Sequence, residues 1–341
     1  MTEPIPYING KTGEIIGTVY TEGITRVSRK KLRHFLSHGE DLDIRYNKRL
    51  QRLTFDDSEK HVTAYFDDGS QHSGNMVIGC DGSRSKVREY IVGSEAAKQQ
   101  DLGITMINFP SSHYIREQAI RNRDHHPILK LSFHPELPGT TLLAALDTSS
   151  PDPSDWKFQN YTSWWGSPSA HELRDPKVRL DFYRDHMSKF CEPFRSAALG
   201  GVVSDMTNGS EAAGEAGETV ESEVVLPIYA GQQWSPLTPR TWDNHNGRAT
   251  LAGDAAHSML PDRGQGLNNA LADADYVVSA LRSVVVDKER TLGEAISAYE
   301  DEMRPRGGKE VELSFEQALR SKDVKSMAKD APIFRVGHAR Q

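Results

Sequence analysis

Cysteine, long apolar runs and a strong excess of either charge are all scarce in this chain. Its two cysteines, Cys80 and Cys191, are far apart and show no metal or redox spacing. That excludes a disulfide scaffold and a CxxC pair, and predicts reduced thiols in the core. No stretch approaches the ~20 apolar residues needed to span a bilayer, and the opening MTEPIPYING lacks a basic region followed by an apolar run. A cytosolic (cytoplasmic) location with no membrane span is expected. The net charge of -7, with Lys and Arg scattered among acids, gives no basis for a nucleic-acid partner. With 341 residues, 37% of them hydrophobic, about two domains with sizeable cores are expected. No internal repeat is apparent.

The richest stretch is residues 249–273, ATLAGDAAHSMLPDRGQGLNNALAD. It reads as a short buried strand, a Gly-Asp turn, a glycine-rich loop and a helix. Gly253 permits a tight turn and leaves Asp254 at the carboxyl end of the strand, where open α/β sheets place ligands and where a carboxylate can accept sugar-type hydroxyls. After Pro261, Gly264 and Gly266 bring bare backbone close to whatever is bound. Leu267, Ala270, Leu271, Ala274, Val277, Val278 and Leu281 then recur at helical spacing, predicting that this face packs inward. The amino terminus of that helix aims free N–H groups at the loop, a setting that favours negative charge.

A second constellation lies upstream. Residues 61–66 alternate, Asp68-Gly69 makes a hairpin turn, and Met76 to Ile78 form a buried strand leading into Asp81, Gly82 and a run that ends in Arg88. Further upstream, Ser28 caps a basic helical pattern carrying Leu32, Phe35 and Leu36, followed by a strand over 42–53. Alone, each would be a turn or a solvated face.

Together, in this order, they resemble the FAD-dependent aromatic hydroxylases, the single-component flavoprotein monooxygenases with the p-hydroxybenzoate hydroxylase fold. The family motif of Gly-Asp, Ala-Ala-His, a proline, Gly-x-Gly-x-Asn and an aspartate is met by Gly253-Asp254, Ala255-Ala256-His257, Pro261, Gly264, Gly266, Asn268 and Asp273; DGxxSxVR is met by residues 81–88. The resemblance implies that Asp254 binds the ribityl chain and that the backbone of Gly266, Leu267 and Asn268 lies beside the isoalloxazine. It also implies that Asp81 and Gly82 touch the flavin pyrophosphate in a motif linked to NAD(P)H use. Arg29, opening an Arg-x-x-Leu-Arg segment, would reach the phosphates or ribityl chain. The implied activity is NAD(P)H- and O2-dependent hydroxylation or epoxidation of a small aromatic or polyketide- or terpenoid-like metabolite in secondary metabolism, through a flavin C4a-hydroperoxide and without a metal.

The implied fold is α/β: a FAD/NAD(P)-binding Rossmann-like domain with an inserted mixed β-sheet substrate domain. Segments 1–91 and 243–341, the latter with C-terminal helices, would form the flavin domain, and 92–242 the substrate domain. One departure stands out. There is no GxGxxG before a helix, and residues 1–25 read as a hairpin turn and a short strand, so the flavin domain is expected to be incomplete, through either a shortened gene model or a true loss. Losing about three charge-assisted N–H contacts at roughly 1.5 kcal/mol each would cost about 4.5 kcal/mol, or around three decades of FAD affinity. The alternative is a catalytically impaired paralogue that binds a small molecule or protein.

Within 92–242, strands are expected at 103–108, 128–134 and 140–146, one helix over 177–199, a mobile Gly/Ala/Glu-rich insertion at 207–223, and a strand at 224–229. Trp156, Phe158, Tyr161, Trp164 and Trp165 are either a pocket wall or sheet core. His257 is expected to pack near the cofactor rather than to transfer protons. Halogenase chemistry is disfavoured by the lack of a Trp-x-Trp-x-Ile signature, and hydrolysis at Ser258 or Asp254 by the lack of a nucleophile elbow.

Overall fold

Segments rich in β-branched and aromatic residues pair into three sheets, and amphipathic segments between them form helices. A computed structural model describes residues 4–20, 24–56, 60–112, 114–137, 139–208, 226–238 and 241–322, with the side chains of 202–208 outside the description. In chain order the first elements are β1 (Ile5–Asn9), β2 (Ile15–Val19), α1 (Arg29–Ser37), β3 (Leu50–Phe55), β4 (Val62–Phe66), β5 (Gln71–Gly74), β6 (Val77–Gly79) and α2 (Lys86–Val92). Then come β7 (Gln100–Ser111), α3 (Arg116–Arg121), β8 (Leu129–Phe133), β9 (Thr140–Asp147), β10 (Lys157–Trp165), α4 (Pro176–Ser188), α5 (Phe194–Asn208) and β11 (Ile228–Gln233). The chain continues through β12 (Ala249–Leu251), α6 (Asp254–His257), α7 (Gly266–Val285) and α8 (Leu292–Lys322).

Two compact units result. One comprises 1–41, 103–231 and 319–341, the other 42–102 and 232–318. The first is built on a seven-stranded mixed sheet of order β11-β7-β10-β9-β8-β1-β2. Residues 1–41, grouped by sequence with the flavin segments, contribute β1 and β2 to it: β1 is apolar on both faces and pairs in parallel with β8. Phe158 and Trp164 of β10, with Ile107 and Leu143, pack against Tyr183, Met187 and Phe194 of α4 and α5.

The second unit holds the hairpin sheet β3-β4-β5 and the parallel pair β12-β6. Its core joins Val87 and Ile91 of α2 to Ala249 and Leu251 of β12, Val277 of α7, and Tyr299 and Met303 of α8. No helix among the described residues is long and apolar enough to cross a membrane.

Several expectations change. The helix expected over 177–199 is two, because Pro193 supplies no N–H and disfavours helical backbone before it. The strand expected over 42–53 starts only at Leu50; Leu42, Ile44 and Tyr46 alternate but are exposed. Phe35 and Leu36 of α1 are exposed, as on a solvated face. The strand near 224–229 begins at Ile228, with 224–225 outside the described residues, as are 209–223 of the Gly/Ala/Glu-rich insertion and 323–341 of the C-terminal region. Both cysteines are free, but Cys80 is exposed. Phe158, Tyr161, Trp164 and Trp165 of the aromatic cluster lie in β10, a strand whose interior is buried on both faces and so shows no alternation, and Trp156 just precedes it.

Phe158 is fully buried. Phe158→Ala should therefore lower stability by about 3–5 kcal/mol in urea unfolding followed by circular dichroism. A loss below about 1 kcal/mol would remove it from the core.

Candidate functional site

The second unit places two polar turns on neighbouring strand ends. β6 and β12 run in parallel with Val77 opposite Ala249 and Gly79 opposite Leu251, and Ala252 N donates to Gly79 O at 3.0 Å. Both strands therefore end at one edge, β6 running into Cys80-Asp81-Gly82 and β12 into Ala252-Gly253-Asp254. The motifs singled out in sequence meet there through backbone pairing.

The two aspartates have different duties. The Asp81 carboxylate accepts from Lys86 N at 2.6 Å and Val87 N at 3.3 Å, so it anchors the start of α2 and shapes its own turn. Asp254 is exposed, and among the described residues no donor reaches its carboxylate. Gly266 faces it, since a Cβ there would stand 3.9 Å from Asp254 Oδ1. Pro261 opens a single 3₁₀ turn that closes at Gly264 in a left-handed conformation, with φ of 65°. Asn269 N bonds to Gln265 O at 3.0 Å as the first hydrogen bond of α7, leaving the N–H groups of Gly266, Leu267 and Asn268 without helical acceptors.

Behind these turns lie two buried charges, Arg88 and Asp273, which the sequence motifs contained without showing what they would bind. Arg88 is 1% exposed and donates to three carbonyls from separate segments: Ser83 at 2.5 Å, Ala97 at 3.1 Å and Ala255 at 3.0 Å. Its guanidinium also lies 4.5 Å from the Trp234 ring. Arg88 thus fastens the turn after Asp81 to the turn after Asp254. Burial pulls its pKa down to about 10, against the attraction of Asp81 and Glu89. The DGxxSxVR match contained this residue, but nothing local revealed that its partners would be distant carbonyls.

Asp273 on α7 does the same for the other turn. Its Oδ2 accepts from Gly253 N at 2.6 Å and sits 2.8 Å from His257 Nε2; its Oδ1 accepts from Arg306 at 2.8 Å. Both His257 and Asp273 are fully buried, so His257 is a packed, tethered group. Burial pushes the Asp273 pKa up, yet the hydrogen bonds and charges of His257, Arg306 and the Gly253 N–H outweigh it and hold the carboxyl below its ordinary value.

The inward face of α7 is the expected one only in part: Val277 is in the core and Leu281 packs against it. Asn269, Asp273 and Val277 are buried, whereas Leu267, Leu271 and Val278 are 43%, 51% and 65% exposed. Periodicity showed a helix with apolar residues around much of its circumference, and the Asp273 network selected which stripe turns in. Arg29 belongs to the other unit, at the first turn of α1, where it lines a cavity beside the large sheet.

The arrangement fits FAD. Gly82 and Gly264 both have positive φ, and a Cβ at either would meet nothing within 4 Å, so bare backbone faces open space. A free carboxylate suits a polyol chain, and unpaired N–H groups at the start of a 20-residue helix suit the anionic edge of a flavin ring.

Asp273→Asn should cost about 3 kcal/mol at neutral pH, since it removes the charge facing a partly buried arginine that retains Glu302. With its native pKa depressed, Asp273 contributes stability above about pH 4 that is lost as pH falls through its folded value. Urea titrations at neutral and acid pH should show a shallower acid-side loss for the variant. Identical slopes would assign the acid sensitivity elsewhere.

A model of a FAD binding domain matches residues 212–314. The FAD-dependent monooxygenase cctM of Talaromyces islandicus is 31% identical over 333 residues, covering 98% of this chain and 76% of its own. The FAD-dependent monooxygenase phnB of Penicillium herquei is 31% identical over 339 residues, covering 97% and 75%. Among solved structures, Klebsiella pneumoniae HpxO complexed with FAD and uric acid superposes with a TM-score of 0.70 at 19% identity, covering 96% of this chain and 74% of that one. The 2,6-dihydroxypyridine-3-hydroxylase of Arthrobacter nicotinovorans gives 0.68 at 18%, covering 98% and 79%. These two establish the p-hydroxybenzoate hydroxylase type of fold, and the fungal relatives establish the family: this chain belongs to the FAD-dependent monooxygenases.

Proposed function

We propose that this monooxygenase takes electrons from NAD(P)H and uses O2 to hydroxylate or epoxidise a small aromatic or polyketide- or terpenoid-like metabolite of secondary metabolism. The observation that carries the reading is the meeting of the Asp81-Gly82 and Gly253-Asp254 turns at one strand edge, beside the uncapped start of α7. Bound flavin supplies the redox chemistry and oxygen activation. The chain's own residues bind and orient it.

In this reading Asp254 accepts flavin hydroxyls, and Gly82 and Gly264 let backbone approach the cofactor. Pro261 sets the turn that aims the N–H groups of Gly266, Leu267 and Asn268 at the ring edge where reduced flavin carries charge. Asp81 holds the turn that presents Gly82. His257 is buried and tethered to Asp273, which suits a packing role. The two free cysteines suit a reducing compartment, and a cytosolic setting is part of the same reading.

The test is direct. Purified protein titrated with FAD should quench flavin fluorescence, and with NAD(P)H and an acceptor it should take up O2. A folded, colourless chain that ignores FAD would instead be a small-molecule or protein-binding module. Asp254→Ala should raise the Kd for FAD by about tenfold to a hundredfold, the loss of one charge-assisted hydrogen bond. Its unfolding curve should match the parent's, because that carboxylate contacts no protein donor.

A further inference from the structure

The second unit carries an apolar stripe that its own core does not use. Along α7, Leu271, Ala274, Val278, Leu281 and Val285 follow one another at alternating steps of three and four residues, the heptad spacing that keeps a seam on one side of a helix. Leu281 is half-turned to the core, but Leu271, Val278 and Val285 are 51%, 65% and 70% exposed. The buried stripe of the same helix, Asn269, Asp273 and Val277, lies about a third of the way round at 3.6 residues per turn. Scattered exposed leucines and valines need no partner, whereas a continuous row of them marks a contact surface.

The charges flanking the seam identify what it fits. Asp275 and Arg282 stand seven residues apart, at the same heptad position and on the same side of the seam. Both are exposed, and among the described residues neither side chain has an ion-pair partner. In a parallel pair of α7 helices this position would face Ala270, Val277 and Val284, and the charges would meet nothing. Turned antiparallel about a two-fold axis beside Val278, each Asp275 faces the Arg282 of the other copy, so a single patch satisfies itself twice. Val278 then meets its own counterpart, and Leu271 lies level with Val286, which is 63% exposed. The overlap from Leu271 to Val286 is about 23 Å long at 1.5 Å per residue, and it leaves residues 266–268 at the helix start uncovered. A two-helix contact of that length falls below the roughly 1,200 Å² of stable complexes, which implies a dimer that exchanges with monomer.

We infer that the exposed seam of α7 docks a second copy of this chain, helix against helix in antiparallel register, with two Asp275–Arg282 pairs flanking Val278. No residue assigned to the flavin takes part, so the contact is independent of the oxygenase reading.

Sedimentation velocity of the full chain tests it. Between about 2 and 200 µM the weight-average sedimentation coefficient should climb from monomer toward dimer, with a Kd on the order of 10 µM. Val278→Glu, which sets two carboxylates against each other at the axis, should weaken association about tenfold or more while circular dichroism and the unfolding curve stay at the parent's. Asp275→Arg and Arg282→Asp should each associate about fivefold more weakly alone, and an equimolar mixture of the two should recover pairing, because only unlike copies then match. A chain still monomeric at the highest concentration overturns the inference and gives the seam to a different polypeptide. So does a dimer that Val278→Glu leaves intact, which would place the contact on another surface. Single charge variants that associate as strongly as the parent overturn the antiparallel register.

Discussion

Parallel pairing of two three-residue strands governs the second unit of this protein. With Gly79 level with Leu251, the chain leaves both strands at one edge, and residues remote in sequence become neighbours. A slip of this register would part the turn that Asp81 builds from the turn that carries Asp254. So short a ladder cannot hold its register by backbone hydrogen bonds alone. The surrounding side chains must do it, and they do so with charge.

Arg88 and Asp273 are the two devices. Each is a charged group withdrawn from water, a costly placement unless every donor or acceptor finds a partner. Arg88 finds three carbonyls and an aromatic face; Asp273 finds a glycine N–H, an imidazole and a guanidinium. A planar guanidinium can span three separate segments, which a single ammonium cannot. The cost of burial is offset by specificity of arrangement, because only one placement of the turns satisfies both groups. The exposed site groups are then free to bind, and Asp254 spends none of its hydrogen-bonding capacity on the protein.

What was legible in the sequence follows from how local each cause is. The Gly-Asp turn, the Pro261–Gly264 loop, the Ser28 cap and the Asp68-Gly69 hairpin are set by a few adjacent residues, and all were readable. The sheet strands β7, β8 and β9 announced themselves by alternation or apolar runs, but β10 did not, since a strand buried on both faces has no period. The break between α4 and α5 was written in Pro193 and overlooked beneath a strong helical pattern. The face of α7 was readable only at Val277 and Leu281, which turn inward as their spacing suggests; the choice of Asn269 and Asp273 over Leu267 and Leu271 fell to Asp273 and Arg306, whose meeting no spacing rule reveals. The same holds for the cavity that Arg29 lines, which gathers 26–38 with residues from three strands.

The order of the chain has a kinetic consequence. β6 leaves the ribosome early, while its partner β12 follows only after the whole run from β7 to β11 has been made. Pairings within that run, such as β8 with β9 and β9 with β10, join near neighbours and close quickly. The entropy of closing a long loop grows only logarithmically, so a folded insert that holds its own ends close eases the late encounter of β6 with β12. The paired edge of β6 and β12 is therefore among the last parts of this protein to form during synthesis, and until then the bare edge of β6 is a place where a nascent chain can mispair.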